Sequence, residues 1–529
     1  MPPHKPHNPK SANSVRQAPQ KPRPGMAKTH ERGNGWPQPV PLFAALPRKA
    51  AELLENLPEA LRHIWPLNAT HRRSLPEDIA RLSRLLTTER AGLARSYWTS
   101  PAAISAYLYY FLPWNLVRLT RLLTALPLPD PTCIAAHAGG QVTGQTATAG
   151  NEALLLDVGS GPLTLPLALW LAYPQWRSAP IRVLAVDLAP QPLELGKNLL
   201  ETLGKMGGQP VWQVHTARAS LEQAARTATR LPGLSGARPW LVSAVNVLNE
   251  VRSGKRGAHR GQTEEGEIPD GCREEKLSGF LESLAPLAQG SEAQEPALLF
   301  VEPGTRLGGT TVMRMRRLGL EAGWNALSPC PHGEDCPLLE NAHNRTWCHF
   351  TFSSAGAPQW LEKLSADAGL EKNALSLAPL LLGRQPGAHD RTKKSPARER
   401  HGSVAGETAR VISAAFAVPG LPGRARYACS GQGLLLLLEN AGTLASGDLL
   451  DVRIQPGRDR KSGARTAGPV RIEKQPGRKA APQPAGLAAA ETSGERGQAR
   501  AQKSAALQRQ KKPVGKNPPQ HRLPGEKGK

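Results

Sequence analysis

Three cysteines stand close together in the segment PCPHGEDCPLLENAHNRTWCHF, which covers residues 329–350. Cys330, Cys336 and Cys348 are separated by five and eleven residues, a spacing unlike the C-x-x-C pairs of zinc ribbons. Their grouping indicates metal ligation, but three thiolates are an incomplete set for either zinc or an iron–sulfur cluster. A fourth ligand must therefore come from a nearby histidine or from a distant cysteine.

The fourth ligand has candidates of both kinds. The histidines near the three cysteines are His332, His343 and His349. Among the distant cysteines, Cys133 and Cys272 lie in polar segments, whereas Cys429 ends the predicted strand RARYAC just before a glycine turn. Four thiolates from two segments suit a cubane cluster, which tolerates irregular spacing. A zinc site formed by the three cysteines and a histidine is the alternative.

A second group of functional residues lies in the stretch EALLLDVGSGPLTL, where an apolar run enters a glycine turn. Asp157 ends the predicted strand, and Gly159, Ser160 and Gly161 form the loop. Glycine lets the backbone approach a ligand, and the N-terminus of the next helix offers free N–H groups. Asp187 ends the following strand, where a carboxylate can accept hydrogen bonds from both hydroxyls of a ribose. The pattern predicts a nucleotide-type cofactor site.

The shape of this loop resembles motif I of class I S-adenosylmethionine-dependent methyltransferases. Leu163 stands where the usual third glycine would be, so the loop also departs from the G-x-G-x-x-G of Rossmann dehydrogenases. The radical enzymes that pair this cofactor with a cluster need a C-x-x-x-C-x-x-C run, and the sequence contains none. The resemblance therefore favours a methyltransferase-type pocket.

The sequence does not assign a catalytic residue. The fourth predicted strand offers Asn246, Asn249 and Glu250 near its end, and helix capping is the favoured interpretation for Asn249 and Glu250. It has neither the Asn-Pro-Pro-Tyr loop used on exocyclic amines nor a cysteine nucleophile. Methyl transfer to RNA is the favoured hypothesis, and a catalytically inactive RNA-binding protein is the alternative.

The elements that must position these residues follow from the pattern along the chain. Residues 42–137 predict a helical module, in which Ser74 and Glu77 form a capping box at a helix start, with Pro76 in the first turn. Residues 150–383 alternate strands and helices, which predicts a doubly wound parallel α/β sheet that includes the cysteine block 329–350. The remaining segments are a linker at 384–408, a small β-rich piece at 409–454, and disordered basic tails at 1–41 and 455–529.

Charge and composition restrict the class of partner and the compartment. The formal net charge is +24, and most of it lies in the two tails, whose expected partner is a polyanion such as RNA. A solubilising role or a compositional bias is the alternative. The chain has no apolar run of membrane-spanning length and no apolar segment of a secretory signal near its start, so we expect no membrane association. Bacterial cytoplasm is the expected compartment, and the mitochondrial matrix is the alternative.

Taken together, the motifs resemble the mitochondrial small ribosomal subunit assembly family of methyltransferase-like proteins, which has bacterial members. The marks occur in order as DVGSGP, VEPGT, PCPH, CPL and WCHF, followed by a strand that ends in cysteine, and they cover roughly residues 42–451. The resemblance implies a class I S-adenosylmethionine-dependent methyltransferase-like fold and a role on small-subunit rRNA in ribosome assembly. It also implies a cofactor pocket and a [4Fe-4S] cluster. The residues so assigned are Asp157, Gly159, Ser160, Gly161 and Asp187 for S-adenosylmethionine, and Cys330, Cys336, Cys348 and Cys429 for the cluster. The oligomeric state is not predicted.

Overall fold

The computed structural model describes most of the region between the two basic tails. The described residues are 36–87, 97–136, 152–234, 237–248, 270–288, 295–339, 347–384, 406–419, 423–438 and 441–470. All of them belong to one compact unit, Met1–Arg471. Within these ranges, no helix combines the length and the apolar character needed to cross a bilayer.

Helices fill the region before the first strand. They are α1 (Arg48–Glu55), α2 (Leu57–Ile64), α3 (Ala69–Thr87), α4 (Pro101–Ala106), α5 (Leu112–Leu123) and α6 (Pro131–Ala136), with a π-helical turn at Tyr107–Phe111 between α4 and α5. The module is anchored to the rest of the fold by buried polar contacts, since Trp114 Nε1 donates to Ser365 Oγ at 3.1 Å and Tyr110 donates to the Leu370 carbonyl at 3.1 Å.

The predicted helix start at Ser74 is wrong. Helix α3 already begins at Ala69, and the Asn68 side chain accepts a hydrogen bond from the His71 N–H at 2.8 Å, as an N-cap residue does. Ser74 and Pro76 therefore lie inside the helix, where the Ser74 hydroxyl contacts Asp78 at 3.1 Å. The error arose because proline is common in the first turn of a helix and disfavoured in its interior.

A mixed sheet forms the centre of the fold. Its strands are β1 (Ala153–Val158), β2 (Ile181–Asp187), β3 (Gln213–Arg218), β4 (Arg238–Val245), β5 (Ala297–Pro303), β6 (Asn325–Ser328), β7 (Phe350–Ser353) and β8 (Ala374–Gly383). They are arranged in the order β3-β2-β1-β4-β5-β8-β6, with β7 paired to β8. Strands β1 to β5 run parallel, whereas β8 is antiparallel to its neighbours β5, β6 and β7. The predicted doubly wound α/β sheet is confirmed, although it is mixed rather than wholly parallel.

Both faces of the sheet are covered. The helices that follow its strands are α7 (Thr164–Ala172), α8 (Pro190–Gly207), α9 (Ala224–Arg230), α10 (Asp270–Ser283), α11 (Arg306–Glu321) and α12 (Gln359–Asp367). Residues of β1 alternate between two apolar cores: Leu155 belongs to the core shared with the helical module, and Leu154 and Leu156 to the opposite one. The strand order reverses at β1 and β4, where their carboxyl ends form the crevice in which such sheets bind ligands.

A small closed sheet follows the main one. Its strands are β9 (Glu407–Val411), β10 (Phe416–Ala417), β11 (Arg424–Ser430), β12 (Gly433–Leu437), β13 (Leu449–Arg458) and β14 (Arg465–Pro469). Strand β9 pairs with both β13 and β11, so the sheet closes into a barrel. Its interior is filled by small and branched residues such as Val411, Leu435 and Val452.

The predicted end of this piece at residue 454 is wrong. Strand β13 continues to Arg458, and β14 completes the barrel between β12 and β13. The basic tail that was expected to begin at 455 therefore contains ordered strand up to Pro469. Glycine, proline and arginine in these two strands conceal the alternating pattern on which strand prediction depends.

Candidate functional site

The glycine loop joins β1 to α7 at the crevice. Its N–H groups at Gly159 and Ser160 both donate to the Val186 carbonyl of β2, at 2.8 and 3.0 Å. Gly159 has a φ of 67°, and a Cβ placed on it would lie 2.5 Å from the Val247 side chain. This position therefore requires glycine for two reasons, backbone conformation and space.

Asp157 lies beneath the loop as a buried carboxyl group. One of its oxygens accepts a hydrogen bond from the Ser243 hydroxyl of β4 at 2.7 Å. Burial raises the pKa of Asp157 to about 6. The other oxygen, Oδ2, and the Ser160 hydroxyl are buried and meet no partner at full hydrogen-bond geometry among the described residues, although Ser160 is close enough to Asp157 to oppose the rise in its pKa. Asp157 and Ser160 are therefore neighbouring polar groups at the crevice.

Asp187 holds the loop from the end of β2. Its Oδ2 accepts from the Gly161 N–H and its Oδ1 from the Ala189 N–H, each at 2.9 Å. A carboxylate oxygen has two acceptor positions, so these contacts leave Asp187 able to accept ribose hydroxyls. Leu188, the next residue, is 66% exposed and presents an apolar surface beside the carboxylate.

Leu163 adopts the backbone conformation that a glycine would take at this point. Its φ of 54° and ψ of 40° place it in the left-handed region, immediately before α7. The conformation costs a leucine about 1–2 kcal/mol. Its side chain is fully buried in the apolar core, and burial of a leucine contributes about 1.5–3 kcal/mol. The loop therefore keeps its glycine-type geometry without the third glycine.

The end of β4 lacks an evident general base among the described residues. Asn246 has a φ of 59° and its N–H donates to the Val301 carbonyl at 2.8 Å. Asn249 and Glu250, the predicted capping residues, lie outside the described residues. Glu302, which belongs to the family mark VEPGT and was assigned no role from the sequence, lies at the end of β5, where it is fully buried and accepts from the Leu248 N–H at 2.8 Å. The signal was an acid at the end of an otherwise apolar strand.

The second candidate site is a cavity lined by Cys330, Cys336, Cys348 and Cys429. Cys330 and Cys336 lie in the loop that follows β6, and Cys348 directly precedes β7. Cys429 is on β11 of the barrel, so the cavity lies where the barrel meets the main sheet. The space between these residues that is free of protein atoms amounts to about 340 Å³, a figure that includes open solvent at its mouth. The structure thus brings together all four cysteines predicted to share a site.

Burial and the proximity of other sulfurs raise the pKa values of Cys330, Cys348 and Cys429. Burial raises the pKa of Cys330, and the neighbouring Cys336 adds to the rise while Arg316 opposes it. The pKa of Cys348 is raised well above its ordinary value, first by burial and then by the other three sulfurs. Burial likewise raises the pKa of Cys429. A raised pKa keeps these three groups as neutral thiols, and a bound metal would have to displace their protons to bind them as thiolates.

Histidines contribute differently to the cavity. His332 Nε2 lies 3.3 Å from Cys429 Sγ, and burial lowers the pKa of His332 to about 4. Its Nδ1 is buried without a hydrogen-bond partner among the described residues. His349 Nδ1 lies 3.1 Å from the Trp347 carbonyl, and the ring stacks on Trp347. His343 lies outside the described residues.

The cavity does not have the form of a site for a single ion. Across the ranges that the structure describes, no three His, Cys, Asp or Glu side chains are grouped as a metal-ion site. Ligands of one zinc ion converge to about 2.0–2.3 Å from it. The four cysteines line one cavity, but their side chains are not arranged as the ligands of a bound ion are.

Comparison with protein families bears on the segment around the cysteines. Residues 285–385 match the family model described as "Mitochondrial small ribosomal subunit Rsm22". The resemblance to this family is confirmed over that segment. It covers about a fifth of the chain and includes three of the four cysteines, while the glycine loop and Cys429 lie outside it. A comparison with curated proteins finds no significant match.

Solved structures similar to the chain include several methyltransferases. One is an arsenic(III) S-adenosylmethionine methyltransferase from Chlamydomonas reinhardtii, at 14% identity, covering 56% of this chain and 86% of the other, with a TM-score of 0.22. The rRNA methyltransferase aviRa from Streptomyces viridochromogenes is 17% identical, and the match covers 34% of this chain and 73% of the other, with a TM-score of 0.20. A methyltransferase from Thiobacillus denitrificans, solved with S-adenosyl-L-homocysteine, is 14% identical, and the match covers 50% of this chain and 97% of the other, with a TM-score of 0.22. Because these scores are low, the methyltransferase-like fold class rests on the strand order, with antiparallel β8 between β5 and β6.

Proposed function

We propose that this chain is an S-adenosylmethionine-binding, methyltransferase-like protein that carries a [4Fe-4S] cluster and acts on small-subunit rRNA in ribosome assembly. One observation carries the proposal: Cys429 of the barrel lines the same cavity as the three cysteines of the family-matched segment. The family description names the mitochondrial small ribosomal subunit. That name supports the small subunit as partner, and it supports the mitochondrial alternative for the compartment.

The cysteine cavity supports a cluster by the chemistry of its donors. Cys330, Cys336, Cys348 and Cys429 would each bind one corner of a [4Fe-4S] group. Such a group would join the barrel to the main sheet, because three of its ligands come from one part and the fourth from the other. A zinc ion held by Cys330, Cys336, Cys348 and a histidine is the less favoured alternative, because Cys429 lines the same cavity and completes a set of four thiolates.

The crevice supports a nucleotide-type cofactor through its glycine loop and the polar groups beside it. Asp157 and Ser160 are neighbouring buried polar groups there, and Asp187 lies at the end of the adjacent strand. Gly159 and Gly161 would let the backbone approach the cofactor, and Asp187 would accept the ribose hydroxyls. When bound, S-adenosylmethionine supplies an activated methyl group. The chain itself would orient that group toward the RNA and exclude water.

A second candidate function is that of a catalytically inactive rRNA-binding assembly factor. The observation in its favour is the environment of Glu302, which is the acid at the end of β5. Glu302 is fully buried and already accepts from the Leu248 N–H, so it positions the chain after β4 rather than facing a substrate. Mapping of rRNA methylation in cells with and without the protein separates the two functions. If the protein is an active enzyme, one nucleotide loses its methyl group in cells that lack it. If the protein is inactive, the methylation map stays the same.

RNA crosslinking in cells tests the ribosomal part of the proposal. The full chain, purified under denaturing conditions after ultraviolet crosslinking, is expected to carry small-subunit rRNA in excess over large-subunit rRNA. Equal recovery of both, at the level of an unrelated basic protein, would contradict the proposed partner. Calorimetry with S-adenosylmethionine on the wild type and on Asp187→Ala tests the cofactor separately, and the variant is expected to bind more weakly.

A further inference from the structure

Two buried arginines line the cysteine cavity together with the four thiols. Arg316 belongs to α11 of the main domain and is 3% exposed, and Arg410 belongs to β9 of the barrel and is 8% exposed. A guanidinium group stays charged at all ordinary pH values, so two positive charges are held at this site. Burying them without an anion would be strongly unfavourable.

Each arginine also holds the backbone of the loop that carries Cys330 and Cys336. Arg316 Nη2 donates to the carbonyls of His332 and Glu334, at 2.9 and 2.8 Å. Arg410 Nε donates to the Pro329 carbonyl at 2.8 Å. The loop is therefore held from the main domain by one side chain and from the barrel by the other.

The two charges are not balanced by carboxylates. Neither Arg316 nor Arg410 forms an ion pair with an acid in the part of the chain that the structure describes. The acid near Arg410 is Asp448, whose Oδ2 accepts from the Ala445 N–H at 2.7 Å, while Arg410 Nη1 donates to the Gly447 carbonyl at 2.8 Å. The groups that face the two guanidinium charges are instead the sulfurs, because Arg316 opposes the rise in the pKa of Cys330 through its charge and a side-chain hydrogen bond, and Arg410 opposes it through its charge.

We propose that Arg316 and Arg410, the arginine pair, are positioning residues that preassemble the cysteine loop and neutralise a doubly negative, thiolate-bound metal centre. This inference rests on the proposed metal centre. A [4Fe-4S] core with four thiolates has a net double negative charge in its oxidised form, which matches the two guanidinium groups. Addition of one electron increases the negative charge, so the arginine pair also favours the reduced form. A loop held from both domains presents its sulfurs to the metal before any ligand bond forms.

The test measures metal retention and reduction potential in the full-length protein, reconstituted anaerobically with iron and sulfide. The variants are Arg316→Gln and Arg410→Gln, which remove the charge, and the corresponding lysine substitutions, which keep it. Arg317→Gln is the control on the same helix, because Arg317 is 41% exposed and pairs with Glu274. Arg426→Gln is the control in the barrel, because Arg426 also donates to two carbonyls there, those of Ala441 and Ser413. Far-UV circular dichroism verifies that each variant is folded.

Both glutamine variants are expected to lose iron to a chelator about 10- to 100-fold faster than the wild type, as is typical when outer partners of a metal site are removed. Their reduction potentials are expected to fall, and those of the lysine variants to stay near the wild-type value although their iron is also released faster. The controls should behave as the wild type. Folded glutamine variants that retain the cluster and its potential unchanged would overturn the role of the arginine pair.

The outcome for the wild type separates this inference from the function on which it rests. A wild type that binds zinc on the same cysteines would refute the cluster. The arginine pair would then be tested by zinc release, because the glutamine variants should lose zinc to a chelator about 10- to 100-fold faster than the wild type. A wild type that binds neither metal overturns both.

Discussion

His332 Nε2 of the loop after β6 and Cys429 Sγ of barrel strand β11 lie 3.3 Å apart, although 97 positions separate them in the chain. This contact places the barrel cysteine against the loop that carries two of the other three. It also makes the cysteine cavity a junction, because a group bound there would hold the barrel and the main sheet together.

Removal of the barrel ligand should abolish metal binding and loosen the barrel. We expect Cys429→Ser to lose most of its iron and its visible absorption, and to expose the region after residue 406 to limited proteolysis. The matched control is Cys133→Ser, since Cys133 is exposed and lies outside the cavity. Iron assay and proteolysis with mass mapping are the measurements. Equal iron in Cys429→Ser and the wild type would exclude Cys429 as a ligand.

Glycine should be more stable than alanine at position 163, which is the reverse of the order expected inside a helix. Because its φ is 54°, Leu163→Gly is expected to be more stable than Leu163→Ala by about 1 kcal/mol, although both lose the buried side chain. At Leu167, which is buried inside α7, alanine should be more stable than glycine by about 1 kcal/mol. Urea denaturation of the four variants measures both differences. The same order at both positions would show that Leu163 is not in the left-handed conformation.

Gly159→Ala should reduce the stability of the protein by more than the cost of its backbone conformation alone. The new Cβ would lie 2.5 Å from the Val247 side chain, in addition to the strain at a φ of 67°. Gly208 supplies the control, because it has a φ of 58° and open space around it, so Gly208→Ala should cost only about 1–2 kcal/mol. We expect Gly159→Ala to lose more stability than Gly208→Ala and to lose binding of S-adenosylmethionine in calorimetry. Equal losses at the two positions would argue against the close approach to Val247.

The stability of the fold should depend on pH through Asp157. Its pKa is raised from 3.8 to about 6 by burial, so the folded protein binds a proton that the unfolded chain has released between these values. The contribution of Asp157 is therefore present at low pH and is lost as the pH rises through about 6. The change corresponds to about 3 kcal/mol at one pKa unit per 1.36 kcal/mol.

Asp157→Asn removes this titration while keeping an oxygen to accept from Ser243. The difference in unfolding free energy between the variant and the wild type should therefore shift in favour of the variant from pH 4 to pH 7. Urea denaturation across that range measures the difference. A difference that stays constant with pH would show that Asp157 has an ordinary pKa.

The sequence alone was sufficient for the alternating strands and for the grouping of Cys330, Cys336 and Cys348. Buried strands such as β1 and β2 are nearly continuous apolar runs, which are hard to mistake for loops. Cys429 could be identified because it ends a strand just before a glycine turn. Family knowledge added what spacing could not, since nothing local joins Cys429 to a loop almost a hundred residues earlier.

Other features could not be predicted because they depend on contacts between parts of the chain that are far apart in the sequence. Arg316 and Arg410 read as surface residues in a charged helix and a polar strand, yet both are buried by the packing of the barrel against the main domain. Asp187 was expected to face a ribose, and its contact with the Gly161 N–H depends on how the loop folds back onto β2. Strand β14 carries a glycine and a proline, and only closure of the barrel explains its order.

The most direct test of the account is the metal content of the full-length chain purified without oxygen. Iron, acid-labile sulfide and zinc are measured per polypeptide in the wild type and in Cys429→Ser. The account predicts iron and sulfide in equal amounts, close to four of each per chain, and their loss in the variant. Stoichiometric zinc without sulfide, or a wild type without any bound metal, would contradict it.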